Sequence, residues 1–337
     1  MHTLILLLTS FAISLSVLAQ EPKLVPLDKL KPDLPRESLA GAEQPQIASL
    51  GGNALFSLKD TEALVSAAEA AVSKDPTNPE LLLKLGRTQD SIWRFRDATE
   101  TYSSGIEKFP KDFRFYRMRG QRYISTRQFP KAIDDLQKVA KYAPGSFEAA
   151  YYLGLAYYFN GDHEKAASEL ARCEAQMKTP LTGAATGTQL EGRTCESMRE
   201  DKNRLIPVQY WRYLALRRAG LMSEAKKYLD VEVSPLLEIK GTTAFYDALL
   251  FFKGIKEINE MLAGANEGSR DYLTRASATA TFLFTEGERA KACGIWRRDV
   301  MDPNWDHLGL INAESEYFVN SKAACALYAA PPTQVGK

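Results

Sequence analysis

A period restricts this chain more than any other feature. Gly86, Gly120 and Gly154 stand 34 residues apart, and so do Ala98, Ala132 and Ala166, and Tyr102, Leu136 and Leu170. Pro76, Pro110 and Pro144 keep the same interval and punctuate the units as helix stops. In the clearest unit, residues 148–173 (EAAYYLGLAYYFNGDHEKAASELARC), apolar groups fall at Ala150, Leu153 and Tyr157, and again at Ala166, Leu170 and Cys173. Steps of three and four mark one buried face on each of two helices. Asn160-Gly161-Asp162 between them is turn chemistry. Gly154 lies within the first helix, where Gly costs about 1 kcal/mol against Ala. The gain expected in return is close approach of the second helix over a bare Cα.

Units of this size cannot bury their apolar faces alone and must stack, so an elongated solenoid is expected rather than two or three compact domains. Good units cover 79–112, 113–146 and 147–178. Residues 58–74 form a helix that caps the first. An insertion, 179–204, then interrupts the period. Degenerate units follow at 205–238, 239–271 and 272–305, with Gly220, Gly254 and Gly287 at the turn position that Gly161 holds. A single helix over 307–329 caps the far end, and 330–337 is a tail. Residues 20–57, rich in Pro, Leu and Lys, read as an extended arm or linker.

Residues 3–19 (TLILLLTSFAISLSVLA) form an apolar run, and Val17-Leu18-Ala19 fits a signal-peptidase site, so residues 1–19 read as a signal peptide and the chain as exported, periplasmic or secreted. An uncleaved anchor is the alternative; no other segment is apolar enough to span a bilayer. The net charge of +1 gives no general attraction to nucleic acid or to a membrane surface. The four cysteines, Cys173, Cys195, Cys293 and Cys325, allow three pairings. The repeat layout favours Cys173–Cys195 and Cys293–Cys325. Without a CxxC or a Cys/His cluster, neither a metal nor another cofactor is expected.

The 34-residue helix–turn–helix period resembles the tetratricopeptide (TPR) repeat. The resemblance spans roughly 58–329 and implies an all-α, right-handed superhelix whose first helices line a concave groove for a partner peptide. The second half, through Tyr210-Trp211-x-Tyr213, Phe245-Tyr246 and Glu314-x-Glu316-Tyr317, is similar to NlpI-type envelope TPR proteins. That similarity implies a periplasmic, homodimeric adaptor for cell-wall hydrolases and a protease. This chain departs from it by lacking a lipid-anchor Cys and by carrying the insertion.

TPR geometry turns positions 2, 5, 9, 12 and 13 of each first helix to the groove. Among these, Arg87, Arg114 and Arg117, with Asp90 and Gln121 beside them, make a basic part, and Tyr151, Tyr158 and Phe159, with Leu155 beside them, an aromatic part. Guanidinium forks suit carboxylates, and aromatic rings supply rigid contact area. An acidic-aromatic segment or a peptide C-terminus fits such a groove. Leu83 and Arg87 stand where the chaperone-tail clamp of the family needs Lys and Asn, which disfavours that role.

His163 reads as a solvated turn residue, and Asp306 as a helix cap ahead of His307. Asp134-Asp135 and Glu314-x-Glu316 read as solvated helix faces. No nucleophile elbow or phosphate loop is present, so the chain is not expected to be an enzyme. The reading is a binding scaffold. A self-assembling structural subunit and, more remotely, a cell-wall carbohydrate-binding module are the alternatives.

Overall fold

The computed structural model describes residues 45–60, 62–178, 193–198, 201–241, 243–263 and 269–328. The signal segment, most of the arm, the bulk of the insertion and the tail lie outside the described residues.

The architecture is an all-α solenoid of helical hairpins. After α1 (Leu64–Lys74) come α2 (Pro79–Ser91) with α3 (Phe95–Lys108), α4 (Phe113–Ser125) with α5 (Phe129–Tyr142), and α6 (Phe147–Phe159) with α7 (His163–Lys178). They continue as α8 (Lys202–Arg218) with α9 (Met222–Glu232), α10 (Thr243–Phe252) with α11 (Ile258–Leu262), and α12 (Arg270–Thr285) with α13 (Arg289–Asp299). Among the described residues no helix is long and apolar enough to cross a membrane.

The periodic residues are the joints of the hairpins. A methyl carbon on Gly86 would stand 2.2 Å from the Tyr102 ring, one on Gly120 2.8 Å from Leu136, and one on Gly154 2.7 Å from Leu170. The bare Cα therefore admits the partner helix, as the spacing predicts. Ala98, Ala132 and Ala166 are fully buried opposite.

The turn inside each hairpin needs a left-handed residue. Gly161, Gly220, Gly254 and Gly287 supply it at φ of 87°, 77°, 72° and 91°. Trp93 and Arg127 hold the same position at φ of 60° and 59°, where a side chain costs roughly 1–2 kcal/mol. Both reach the far end of the chain, and that contact overturns three expectations.

First, residues 45–56 are not a loose arm. They form an antiparallel hairpin, β1 (Pro45–Ala48) with β2 (Ala54–Phe56). Its Ile47 and Leu55 pack with Phe95, Leu273, Trp305 and Leu310 in one small core. Hydrogen bonds hold it too: Leu58 N donates to Ile92 O at 2.8 Å, and the indole Nε1 of Trp305 donates to Phe56 O at 2.9 Å.

Second, the terminal cap is not one helix. It is α14 (Leu308–Ser315), a π-turn at Glu316–Asn320 and α15 (Lys322–Ala326), folded back against α12, α13 and α6. Gly309 makes this possible, since a Cβ there would lie 2.5 Å from the Leu273 carbonyl oxygen.

Third, Glu314 and Glu316 are not solvated; they are 1% and 0% exposed. Glu314 accepts from Arg127 Nη2 at 2.8 Å, from Arg127 Nε at 3.1 Å and from Leu50 N at 3.0 Å. Glu316 accepts from Arg218 Nε at 2.9 Å. Asp135 is likewise buried, paired with Arg119 at 2.7 Å, while Asp134 is exposed. Burial forces each of these carboxylates to find a guanidinium.

The two cysteine pairs are Cys173–Cys195 and Cys293–Cys325, at S–S distances of 2.06 and 2.00 Å. The first ties the end of the insertion to α7, and two main-chain bonds, Phe147 N to Arg193 O and Cys195 N to Gly145 O, fix it beside α6. The second ties α15 to α13.

Candidate functional site

The inner face of the solenoid is built from the first helices of successive hairpins, and its occupancy changes along its length. Around α6 it is filled. Leu155, Tyr158 and Phe159 are each 0% exposed, with Tyr158 and Phe159 packed edge-on to Trp211 at 5.2 and 5.4 Å. These three residues of the expected aromatic part are therefore core, because α8 and the folded-back C-terminal segment cover them.

The expected basic part is spread out. Arg87 is exposed. Arg114 is closed between Asp112 at 2.7 Å and Glu80 at 2.6 Å. Arg117 is half-buried. Asp90 accepts from Tyr102 Oη at 2.8 Å, and burial raises its pKa.

The structure does bring Gln121 and Tyr151 together, at a cavity of about 380 Å³. Its size is within the range of sites for small ligands or a few side chains. Phe95, Phe147, Tyr151, Tyr152, Pro207 and Phe245 form an apolar, mostly aromatic wall. Phe147 and Tyr151 stack at 5.7 Å. Arg122, Arg204, Arg270, Asp306 and His307 form a polar one.

Arg270 donates twice to Asp306, at 3.0 and 3.1 Å from Nη1, so Asp306 is an ion-pair partner and not the expected helix cap. The cap is His307, whose Nδ1 accepts from Gly309 N at 3.1 Å. Burial and the nearby Arg270 push its pKa down to about 3, so the ring is neutral and its proton sits on Nε2. His163, also expected to be solvated, is half-buried against Tyr158, and burial pushes its pKa down to about 4.

Arg122 Nε stands 3.5 Å from Asp90 Oδ1 and is sealed from solvent without a hydrogen bond. Arg204 reaches only 3.9 Å from Asp201.

Arg122, Arg204, Arg270, Phe147 and Phe245 were not singled out by groove positions, because they lie on helix ends. One available signal was that Arg127 and Trp93 fall in register with the turn glycines, which marks side chains retained against backbone cost. Another was the unbroken apolar composition of α6, since a helix apolar all round is a buried one.

Residues 117–176 match the tetratricopeptide repeat family, and the hairpins before and after them continue the same architecture. Residues 117–176 are tetratricopeptide repeats, and the described residues form an all-α solenoid. Its structure is similar to that of a tetratricopeptide repeat protein from Parabacteroides merdae, at a TM-score of 0.48 and 16% identity, covering 76% of this chain and 93% of that one. No curated protein matches the sequence. Repeat solenoids present extended concave surfaces to other molecules, which places this chain among protein-interaction scaffolds.

Proposed function

We propose that this chain is a non-enzymatic, exported adaptor that seats a segment of a partner protein in the inner-face cavity between α4, α6, α8, α10 and α12. The cavity carries this reading: six hairpins of one solenoid contribute to a single recess lined by aromatic rings and three arginines. Export is supported by the apolar run at 3–19 and by the two disulfides, bonds that persist in oxidising compartments. The similarity to envelope adaptors supplies the first partners to try, cell-wall hydrolases and proteases.

The test is panning of a displayed random-peptide library on the mature chain (residues 20–337) beside a Tyr152→Ala/Phe245→Ala variant. Both side chains are half-buried at the cavity, and circular dichroism would verify the variant's fold. Enrichment by the parent alone is the expected result. Equal enrichment by both proteins, or none by either, would refute the site.

Self-assembly is a second reading, favoured by Val319, Leu327 and Tyr328, which stay 52%, 80% and 46% exposed at the C-terminal end. Sedimentation equilibrium of the parent and a Val319→Asp/Leu327→Asp variant tests it; a monomeric parent excludes it.

A further inference from the structure

The cavity is asymmetric in a way that the repeat pattern does not require. Each of α6, α8, α10, α12 and α14 brings a first-turn residue to it: Phe147, Arg204, Phe245, Arg270 and Leu308. The positive ends of five helices thus converge on one recess. Each such end is equivalent to roughly half a unit of positive charge, effective over the first turn.

The side chains add to this field. Three guanidiniums line the recess against one carboxylate, Asp306, and that carboxylate is engaged by Arg270. The imidazole of His307 is neutral and adds no charge there. Arg122 Nε is buried without a hydrogen bond, and the side chain of Arg204 is 43% exposed with only a distant partner. Arg204 has donor capacity left over, and Arg122 adds its charge.

We infer that the polar end of this cavity is a seat for a single carboxylate attached to an aromatic or aliphatic body, held between Arg204, Arg122 and the converging helix ends; this rests on the cavity being the binding site. Fork-shaped guanidinium donors match the two oxygens of a carboxylate. The aromatic rings of Phe147, Tyr151 and Phe245 receive the body of the ligand. The carboxylate belongs to a small free acid or to a peptide end; both present the same chemistry.

N-acetyl-L-phenylalanine, its carboxamide, and a hexapeptide ending in Phe with a free or an amidated terminus are the probes. Binding is followed by calorimetry and by NMR shift mapping on the folded chain. A charged hydrogen bond is worth enough that the acids are expected to bind about 10- to 100-fold more tightly than the amides. Arg204→Met is expected to abolish that preference while leaving the melting temperature within a few degrees of the parent, since among the described residues its one ion pair is the distant Asp201.

A hexapeptide acid that outbinds the free acid assigns the carboxylate to a chain end; equal affinity assigns it to a small acid, and either supports the seat. Acid and amide binding equally, with shifts at the cavity, overturns the seat and leaves the cavity as an apolar site. Absence of binding, or shifts elsewhere, overturns both readings.

Discussion

Arg127→Met tests the reasoning about closure of the solenoid. Arg127 sits in a left-handed turn and sends its guanidinium to Glu314, 187 residues later, with both groups 1% exposed. It also donates to the carbonyls of Ser125 and Trp305. Removing one partner of a buried ion pair leaves the other charge without compensation, at a cost of about 3–5 kcal/mol. For a urea slope near 3 kcal/mol/M this moves the unfolding midpoint down by roughly 1–1.7 M. Arg127→Met/Glu314→Gln removes the orphaned charge and keeps an acceptor for Leu50 N, so it is expected to recover about 2 kcal/mol. A double-mutant cycle by urea denaturation, read by far-ultraviolet circular dichroism, gives the coupling. A single variant within 1 kcal/mol of the parent, or strictly additive losses, would refute the view that this pair closes the structure.

Three other outcomes are expected. Gly309→Ala drives a methyl into the Leu273 carbonyl, so it is expected to lose about 1–3 kcal/mol despite a better helix former, whereas Gly145→Ala, with open space around it, is expected to be near neutral; equal melting temperatures would contradict this. Replacing Cys293 and Cys325 by Ser opens a loop of 32 residues and is expected to cost about 3–4 kcal/mol, and peptide mapping without reductant is expected to recover both bridges intact; free thiols in the native protein would oppose it. Asp299 is buried with Arg298 no nearer than 3.6 Å, and burial outweighs that cation and pushes its pKa up from 3.8 to about 7. Its protonated form therefore contributes stability that is complete below 3.8 and is lost as pH rises through about 7. Asp299→Asn is expected to match the parent near pH 4 and to melt higher above pH 7, and identical pH profiles would count against it.

The repeating part of the fold was legible because it is made of local pairs. Gly86 with Tyr102, Gly120 with Leu136 and Gly154 with Leu170 each join helices 16 residues apart in one hairpin, and the same contact recurs at each period. The closure was not legible because its contacts have no period. Leu50 meets Glu314, and Phe56 meets Trp305, across separations of 264 and 249 residues. A Glu-x-Glu on a short helix looks solvated until its arginines are placed beside it. Of the residues lining the cavity, Gln121 and Tyr151 could be read from groove positions. Tyr158 and Phe159 could not be read correctly from those positions, since the rule assumes an open groove and here the chain's own C-terminus covers it.

The hairpin of residues 45–56 also has a consequence for the order in which the molecule is made. Its apolar side chains, Ile47 and Leu55, find their partners Leu273, Trp305 and Leu310 only near the other end of the chain. A ribosome adds about 5–20 residues per second, so this edge of two strands waits on the order of 10–50 s before its cover exists. The three good repeats can fold during that interval, but they offer the strands only the Trp93–Phe95 side of their cover. Unpaired strand edges are sites of wrong association, so the nascent chain is most vulnerable at its beginning, and the last helical turns to emerge are the ones that make the first strands safe.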